Sequence, residues 1–233
     1  MWSLFKIPEI NLAGIDTDTH THILPAVDDG PQSMEEALVI IRGLSEMGIQ
    51  KIVSTSHIYK DFYPNTTNTL RSAFKQVEKQ VEEQKINVEM QLSAEYFLDE
   101  HFKQLLENRD LLLFNENHLL FEMSTIAPYI ELEQIIFSLK TEGIVPILAH
   151  VERYPYYFNK IDKLQRLRDM GCSFQVNLLS LAGNYGNPVR KQAYKMVNEG
   201  WADCMGTDIH RHHHLQLLKK AWKRDRSFRE LLL

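Results

Sequence analysis

One boundary recurs along this chain and restricts its fold more than any other feature. A helical pattern ends at a glycine, and an apolar run follows at once, at Gly48, Gly143, Gly171 and Gly200. Glycine accepts the left-handed backbone conformation with which many helices end. An apolar run directly after it is typical of a strand that is buried on both faces. The repetition therefore indicates an α/β protein with a parallel sheet.

The same reading gives an alternation of strands and helices over the whole chain. Strands are predicted near residues 14–19, 51–55, 87–94, 118–122, 144–149, 173–177 and 202–206. Helices are predicted near residues 33–47, 67–84, 99–107, 129–142, 160–170, 187–199 and 212–222. Ser33 and Glu36 predict a capping box, and Pro128 and Pro188 each indicate a helix start. One domain with a closed or nearly closed barrel is favoured, and a doubly wound open sheet is the alternative.

Composition and charge exclude several classes of protein. The net charge of −5 and the lack of a long basic run argue against a nucleic-acid partner. No apolar stretch is long enough to span a bilayer, and Met1–Ile10, with Lys6 and Glu9, lacks the core of a signal peptide. Two cysteines cannot build a disulfide framework. We therefore expect a cytoplasmic protein that is not itself a membrane protein, and the sequence leaves its oligomeric state open.

Histidines and acids follow the predicted strands, where a parallel barrel would gather them. Six predicted strands contribute nine such residues: His20, His22, Asp29, His57, Glu95, Glu122, His150, Asp208 and His210. Each of them alone has an ordinary structural explanation, such as a core histidine or an acid paired with an arginine. Because the C-terminal ends of barrel strands converge on one mouth, their coincidence favours a metal site.

The types of these residues limit the metal. The segment H-T-H places the imidazoles of His20 and His22 on the same side of an extended strand, so that both can bind one ion. Imidazole and carboxylate without thiolate suit manganese, iron or zinc. Nine ligands are too many for one ion, so we expect two or three ions with shared carboxylates. Such clusters activate water and neutralise phosphate charge.

Six ordered motifs resemble a known superfamily. They are D-T-H-T-H-I-L-P-A-V-D-D-G, T-S-H, A-E-Y-F, F-E-M-S, A-H-V-E-R-Y and G-T-D-I-H, between Asp16 and His210. In order and type they resemble the polymerase-and-histidinol-phosphatase (PHP) superfamily. The resemblance is closer to its bacterial metal-dependent protein-tyrosine phosphatases, which act in capsule and exopolysaccharide regulation.

The resemblance implies a distorted (β/α)7 TIM-like barrel of the PHP type that holds three divalent ions, with manganese expected and iron or zinc as alternatives. It implies one ion held by His20, His22, Glu95 and Asp208. It implies a second ion held by Glu95, Glu122 and His150, and a third held by Asp29, His57 and His210. Arg153 matches an arginine that holds the substrate phosphate, and the alternative for it is a salt bridge to Glu152 or Asp162.

Two departures from the relatives are visible in the sequence. We expect a single PHP barrel domain over residues 1–233, and its first 13 residues are an N-terminal leader that precedes the first motif. The relatives carry a further arginine some residues after the last motif, whereas this chain reads H-R-H-H-H-L, with Arg211 as a candidate replacement. The other histidines of this tract, residues 212–214, are interpreted as a polar helix start. These differences concern substrate preference more than hydrolysis.

The activity implied by the resemblance is hydrolysis of a phosphomonoester by attack of a metal-bound hydroxide. The implied substrate is a phosphotyrosine protein, the autophosphorylated tail of a membrane-associated tyrosine kinase. Arg153 would hold the phosphate, and the proton donor is left open among His57, His210 and a bound water. The alternatives are the same site acting on a small ester such as histidinol phosphate, or on a nucleotide, and a metal-dependent binding module without turnover.

Two other phosphatase chemistries fail on spacing. A cysteine phosphatase needs an arginine six positions after its cysteine, but Leu178 follows Cys172 there and His210 follows Cys204. An aspartyl-phosphate enzyme needs a D-x-D-x-T or D-x-D-x-V motif, and D-T-D-T-H ends instead in His20. Asp18 is interpreted as an acid that orients a metal-binding imidazole from behind.

Overall fold

The computed structural model describes residues 15–232, so the predicted leader at residues 1–13 lies outside it. Its strands are β1 (Thr17–Thr21), β2 (Lys51–Ser54), β3 (His57–Ile58), β4 (Glu89–Leu92), β5 (Glu95–Phe97), β6 (His118–Glu122), β7 (Val145–Leu148), β8 (Ser173–Asn177) and β9 (Cys204–Gly206). Its α-helices are α1 (Met34–Glu46), α2 (Thr67–Glu83), α3 (Glu100–Glu107), α4 (Leu132–Thr141), α5 (Ile161–Asp169), α6 (Leu178–Leu181), α7 (Asn187–Asn198), α8 (His212–Arg224) and α9 (Arg226–Leu232).

The strands pair in parallel and form two sheet segments, in the orders β1-β2-β4 and β3-β5-β6-β7-β8-β9. Only Thr55 and Ser56 separate β2 from β3, and only Ser93 and Ala94 separate β4 from β5. The strands predicted near 51–55 and 87–94 therefore each continue, after a two-residue break, as a second short strand. Because β2 runs on into β3, and β4 runs on into β5, the two segments belong to one sheet.

This sheet is curled. Val53 of β2 packs with Leu120 of β6 and Ile147 of β7 in a small interior cluster, although other strands lie between them in the sheet. The end of β1 also meets the segment after β9, where the His22 amide donates to the Ile209 carbonyl at 3.0 Å. The predicted α/β class with a parallel sheet is confirmed, as a half-barrel. The more specific (β/α)7 barrel stays a prediction.

The helices follow the pattern that predicted them. In α2 the buried residues Leu70, Phe74, Val77 and Val81 recur every three or four positions, as on one face of a helix, and join the main apolar core. Burying each such side chain stabilises the fold by about 1.5–3 kcal/mol. The four glycines that predicted helix ends all have positive φ, between 72° and 96°. Their left-handed conformation is the reason the helices end there and the chain turns into the next strand.

Three local features differ from the sequence prediction. Helix α4 begins at Leu132, four residues after Pro128, whereas Pro188 does lie in the first turn of α7. Two helices, α6 and α9, were not predicted. Ser33 caps α1 as predicted, but the Glu36 carboxylate accepts from the amide of Gln32 and not from that of Ser33. Within residues 15–232 no helix combines the length and the hydropathy that a membrane crossing requires.

Candidate metal centre

The nine predicted ligands meet at the C-terminal edge of the curled sheet. They lie in or directly after β1, β3, β5, β6, β7 and β9, or, for Asp29, in the turn between β1 and α1. The parallel strands all point toward this edge, which explains why residues so far apart in sequence come together. Three overlapping groups have ligand atoms within 4.8 Å of one another: His22, Asp29, His57 and His210; His20, His22 and Asp208; and His57, Glu95 and Glu122.

The deepest group consists of His20, His22 and Asp208. Their side chains are at most 3% exposed. The Nε2 atoms of the two histidines lie 3.1 Å apart, and the Asp208 Oδ1 atom lies 3.5 Å from the first and 3.6 Å from the second. Two imidazoles and a carboxylate thus present three donor atoms to one buried point.

Glu95 stands at the centre of the cluster. Its Oε2 atom lies 3.1 Å from His20 Nε2, 3.3 Å from His22 Nε2 and 3.3 Å from His57 Nδ1. Its Oε1 atom lies 2.9 Å from His150 Nε2. The carboxylate therefore faces four imidazoles with its two oxygens, which is the arrangement expected of a carboxylate shared between ions.

The remaining ligand candidates lie nearer to solvent. Asp29 Oδ1 is 3.3 Å from His210 Nε2 and 3.7 Å from His57 Nε2, and the exposed fraction of the Asp29 side chain is 47%. Glu122 contacts His57 at 3.2 Å and His150 at 3.6 Å. The groups overlap at His22 and His57, so the structure brings all nine residues together. His57 lies within reach of Asp29 as well as of Glu95 and Glu122, and His150 contacts the same two glutamates, so the division of the ligands among ions stays a prediction.

Two unpredicted residues orient the deepest histidines. Gln175 Oε1 lies 3.0 Å from His20 Nδ1, and Asp28 Oδ2 lies 2.9 Å from His22 Nδ1. Both contacts use Nδ1 and leave Nε2 directed at the acids, as in many metal sites. Residue type does not distinguish Asp28 from Asp29 in D-D-G. Gln175 lies on a strand, where its alternation with Asn177 is the signal of a polar row on the inward face.

The interpretation of Asp18 as a residue that orients an imidazole is wrong. Its carboxylate accepts from the amide and hydroxyl of Thr207, at 2.8 and 2.6 Å, and from the backbone amide of His20 at 3.3 Å. Burial raises the pKa of Asp18 to about 6, against these hydrogen bonds. Asp18 thus ties β1 to the segment after β9, and it supports the site through the backbone.

The electrostatics of the cluster show why it attracts cations. Burial alone would raise the pKa of Glu95, but His20 and His57 outweigh it and hold that pKa well below its usual range. Burial alone would lower the pKa of His20, but Glu95 and Asp208 raise it to about 9. The buried carboxylates and imidazoles thus stabilise each other's charged forms, and divalent ions would take the place of the imidazole protons. Imidazole and carboxylate donors without thiolate fit manganese, iron or zinc.

Arg153 belongs to the same site. Its Nη1 atom donates to Asp208 Oδ2 at 2.9 Å, and its guanidinium carbon lies 4.4 Å from the ring centroid of Tyr185. Neither of the salt bridges considered for it, to Glu152 or Asp162, is its ion pair: Glu152 instead accepts from the hydroxyl of Ser180 and the amide of Asn177. Arg153 remains 29% exposed and lines the cavity over the cluster.

Two of the ligand candidates have a strained backbone. His150 has φ 33° and Asp208 has φ 52°, the left-handed region that non-glycine residues rarely adopt. Each such residue costs about 1–3 kcal/mol and persists where the surrounding structure fixes it. Both follow the ends of strands, β7 and β9, and the unusual backbone turns their side chains back toward Glu95 and His20.

A cavity of about 640 Å³ opens over the cluster. Seven of the ligand candidates line it, namely Asp29, His57, Glu95, Glu122, His150, Asp208 and His210. Its lining also includes Arg153 and, at the rim, Arg211 and His213. As predicted, residues 212–214 begin a helix, α8. The cavity can therefore admit an anion to the two arginines and the candidate metal ligands.

The chain is similar to known proteins of one family. The sequence profile of the family described as capsular polysaccharide synthesis, CpsB/CapC, matches residues 16–221. CapC of Staphylococcus aureus is 30% identical over 195 residues, covering 83% of this chain and 76% of that protein. The tyrosine-protein phosphatase CpsB of Streptococcus pneumoniae is 27% identical, covering 83% of this chain and 82% of that protein.

Solved structures show the same fold. One belongs to the pair YwqE from Bacillus subtilis and CpsB from Streptococcus pneumoniae, described as unique metal-dependent tyrosine phosphatases. It matches with a TM-score of 0.80 at 26% identity, covering 93% of this chain and 89% of that chain. The lactonase Lmo2620 of Listeria monocytogenes matches with a TM-score of 0.54 at 14% identity, a likeness of fold alone.

Proposed function

This chain belongs to the CpsB/CapC family of capsular polysaccharide synthesis, and on that premise we propose that it is a metal-dependent protein-tyrosine phosphatase. One observation carries the proposal: nine imidazoles and carboxylates from distant parts of the chain converge around Glu95 beneath an open cavity. The relatives named as tyrosine-protein phosphatases match over most of the chain. Capsule or exopolysaccharide control is the corresponding biological role.

We assign the nine residues to three divalent ions, with manganese expected and iron or zinc as alternatives. The deepest ion takes His20, His22, Glu95 and Asp208; the others take Glu95, Glu122 and His150, and Asp29, His57 and His210. The support is that these donors lie close together, are of the type that divalent ions prefer, and include a central carboxylate within reach of four imidazoles.

Bound divalent ions supply an acidified water and neutralise the charge of the phosphate. The protein's own residues do the rest. Arg153 binds nonbridging phosphate oxygens with the guanidinium donors that Asp208 does not use, because a guanidinium fork matches phosphate geometry. An oxygen of water adds to phosphorus, the bond to the tyrosyl oxygen breaks, and the phenolate takes a proton. The candidates to give that proton are a bound water and the two histidines His57 and His210, which face the cavity with 12% and 15% exposure.

The sheet is proposed to close as a distorted (β/α)7 barrel. If β2 with β3 and β4 with β5 are each one interrupted strand, seven strand positions result. The first and last of these are joined where the Asp208 amide donates to the His20 carbonyl at 2.7 Å and the His22 amide donates to the Ile209 carbonyl. Closure at this seam brings Asp208 to His20, so the barrel and the deepest ligand group depend on the same hydrogen bonds.

The proposed partner is a phosphotyrosine protein, the tail of a membrane-associated tyrosine kinase, that meets this enzyme in the cytoplasm. The cavity, with a volume of about 640 Å³, has room for a side chain presented on a flexible segment. Residues 1–233 are proposed to form one domain, and no nucleic acid is expected as a partner, given the net charge of −5.

The decisive experiment compares substrates on one preparation. Initial rates are measured with a phosphotyrosine peptide, histidinol phosphate and a nucleotide monoester, with added Mn²⁺ and with excess chelator. We expect the phosphotyrosine peptide to give the highest kcat/KM and the chelator to abolish turnover. A preference for histidinol phosphate would replace the proposed substrate, and turnover that survives complete metal removal would refute the mechanism.

A further inference from the structure

Three aromatic side chains, Tyr59, Phe62 and Phe97, line the cavity beside the metal centre, and we call them the aromatic wall. The rings of Tyr59 and Phe97 are stacked, with centroids 3.9 Å apart and planes 11° from parallel. The ring of Phe62 packs on Tyr59 with centroids 4.9 Å apart. Rings in mutual contact hold each other in place, so the wall is a preformed surface.

The aromatic wall follows two ligand candidates, His57 and Glu95, along their strands. Strands β3 and β5 pair in parallel with His57 opposite Glu95. Side chains two positions apart on a strand point to the same face, so Tyr59 follows His57 and Phe97 follows Glu95 on the face that carries the cluster. A ligand whose charged end reaches the metal centre would therefore pass along these rings on its way out.

A tight loop fixes the wall to the metal centre. The amides of Tyr59 and Tyr63 each donate to the carbonyl of the other, at 3.0 and 2.7 Å, and Phe62 stands at the end of this loop. The ring of Tyr63 stacks on the imidazole of His57, with centroids 5.0 Å apart and planes 10° from parallel. The distance from the rings to the cluster is thus set by packing and not by a free loop.

The cavity is lined partly by charged groups and partly by aromatic rings. Arg153, Arg211 and the metal centre offer cations, whereas the wall offers flat apolar surface, and Phe62 is 69% exposed. Exposed apolar surface of this kind, beside a polar site, is typical of a place that a ligand covers. A ligand that uses both parts is an anion attached to an aromatic ring.

We propose that the aromatic wall binds the phenyl ring of the phosphotyrosine side chain and so selects aryl over alkyl phosphate esters. This proposal rests on the proposed phosphatase function and names the residues that give it its substrate class. The ring of the substrate packs against Phe62 and the Tyr59–Phe97 stack while its phosphate lies at the metal centre. A phosphoserine side chain has no ring to make these contacts.

The test is Phe62→Ala, because this side chain is exposed and its loss should not disturb folding. Phe137→Ala is the matched control, since Phe137 is also 69% exposed but lies on α4, away from the cavity. Three quantities are measured on the metal-loaded protein: KM for a phosphotyrosine peptide, Kd for the same peptide carrying a non-hydrolysable phosphonate, and Ki for inorganic phosphate.

We expect Phe62→Ala to raise both the KM and the phosphonate-peptide Kd about fivefold, which corresponds to about 1 kcal/mol. The Ki for phosphate, which has no ring, should stay within about twofold of the wild-type value, and Phe137→Ala should change none of the three. The wall has no such role if Phe62→Ala leaves KM and Kd unchanged, or if the phosphate Ki rises in parallel. A wild-type protein that does not hydrolyse the phosphotyrosine peptide would instead refute the proposed function.

Discussion

The guanidinium of Arg153 lies over the ring of Tyr185, 4.4 Å from its centroid, while its Nη1 atom donates to Asp208 Oδ2 at 2.9 Å. Tyr185 also brings its hydroxyl to 3.4 Å from the same carboxylate oxygen. The segment that carries Tyr185 is held between Gly183 and Gly186, both in the left-handed conformation with φ 87° and 88°. The ring and the carboxylate together fix the guanidinium at the edge of the cavity.

Tyr185→Leu should therefore reduce turnover without removing metal. A desolvated cation–π contact is worth about 1–2 kcal/mol, so we expect kcat/KM for a phosphotyrosine peptide to fall about tenfold. Tyr185→Phe keeps the ring and is the control, with an expected change below about twofold. Metal content, measured by elemental analysis, should be that of the wild type in both variants. Equal losses in the two variants would show that the hydroxyl matters and the ring does not.

Arg153→Ala tests the guanidinium itself. Loss of a charge-assisted hydrogen bond to phosphate costs about 1.5–3 kcal/mol, so kcat/KM should fall about tenfold to hundredfold and the Ki for phosphate should rise. Asp208 Oδ2 also accepts from the side-chain amide of Asn177 at 2.7 Å, so this carboxylate keeps a partner and metal content should remain near normal. If Arg153→Ala instead strips the metal or unfolds the protein, the role of Arg153 is structural.

Much of this site could be predicted because its ligands follow strands that the sequence marks clearly. His20, Glu95 and Asp208 lie in or directly after predicted strands, where buried acids and imidazoles are costly without a partner. The interpretation of Asp18 is wrong because it depends on which side chains meet across the sheet. Asp18, on β1, contacts Thr207, whereas Asp28, in the turn after β1, contacts the His22 imidazole, and residue type alone does not distinguish the two acids.

The same limit explains why neither the contact of His57 with Glu95 nor the aromatic wall could be predicted from the sequence. His57 lies with Glu95 because β3 and β5 pair in register after a break in each strand, and nothing in the sequence of Thr55 and Ser56 signals that break. Tyr59 and Phe97 are 38 positions apart and read separately as ordinary strand aromatics. Only the pairing of their strands makes them neighbours.

Metal removal should change stability as well as activity. Ions that bind the folded cluster, and not the unfolded chain, stabilise the fold by about 2.7 kcal/mol when present at a hundred times their Kd. We therefore expect excess chelator to lower the Tm and abolish turnover, and added Mn²⁺ to restore both. The Tm is followed by calorimetry and the ions per chain by elemental analysis. A Tm that is insensitive to chelator, in protein shown to be metal-free, would contradict binding at the buried cluster.

The two cysteines should not react with alkylating reagents in the folded protein. Burial raises the pKa of Cys172 and of Cys204 to about 12, so below that pH the thiol form, which is not nucleophilic, dominates. Iodoacetamide at pH 7.5 should leave turnover unchanged and add no mass, while protein unfolded in urea should take up the label on both residues. Inactivation that accompanies labelling of either cysteine would indicate that its thiol takes part in catalysis.

Gly206 is predicted to control both the seam of the sheet and the metal. A Cβ atom at this position would lie 2.4 Å from His20 Cβ and 2.9 Å from the His20 backbone nitrogen, and that backbone has no room to yield. Gly206→Ala should therefore push β9 away from β1, destabilise the fold by about 1–3 kcal/mol and move Asp208 away from His20. We expect a lower free energy of unfolding in urea with chelator present, and fewer ions per chain without chelator.

Gly43→Ala is the matched control for this substitution. Its Cβ would meet only the flexible end of Leu215, at 2.5 Å from Cδ1, on a helix that carries no ligand. Any loss of stability in Gly43→Ala should therefore come without loss of metal. Full metal occupancy in Gly206→Ala would show that the deepest ligand group tolerates separation of the two strands. In that case the close contact of Gly206 with His20 matters for packing alone.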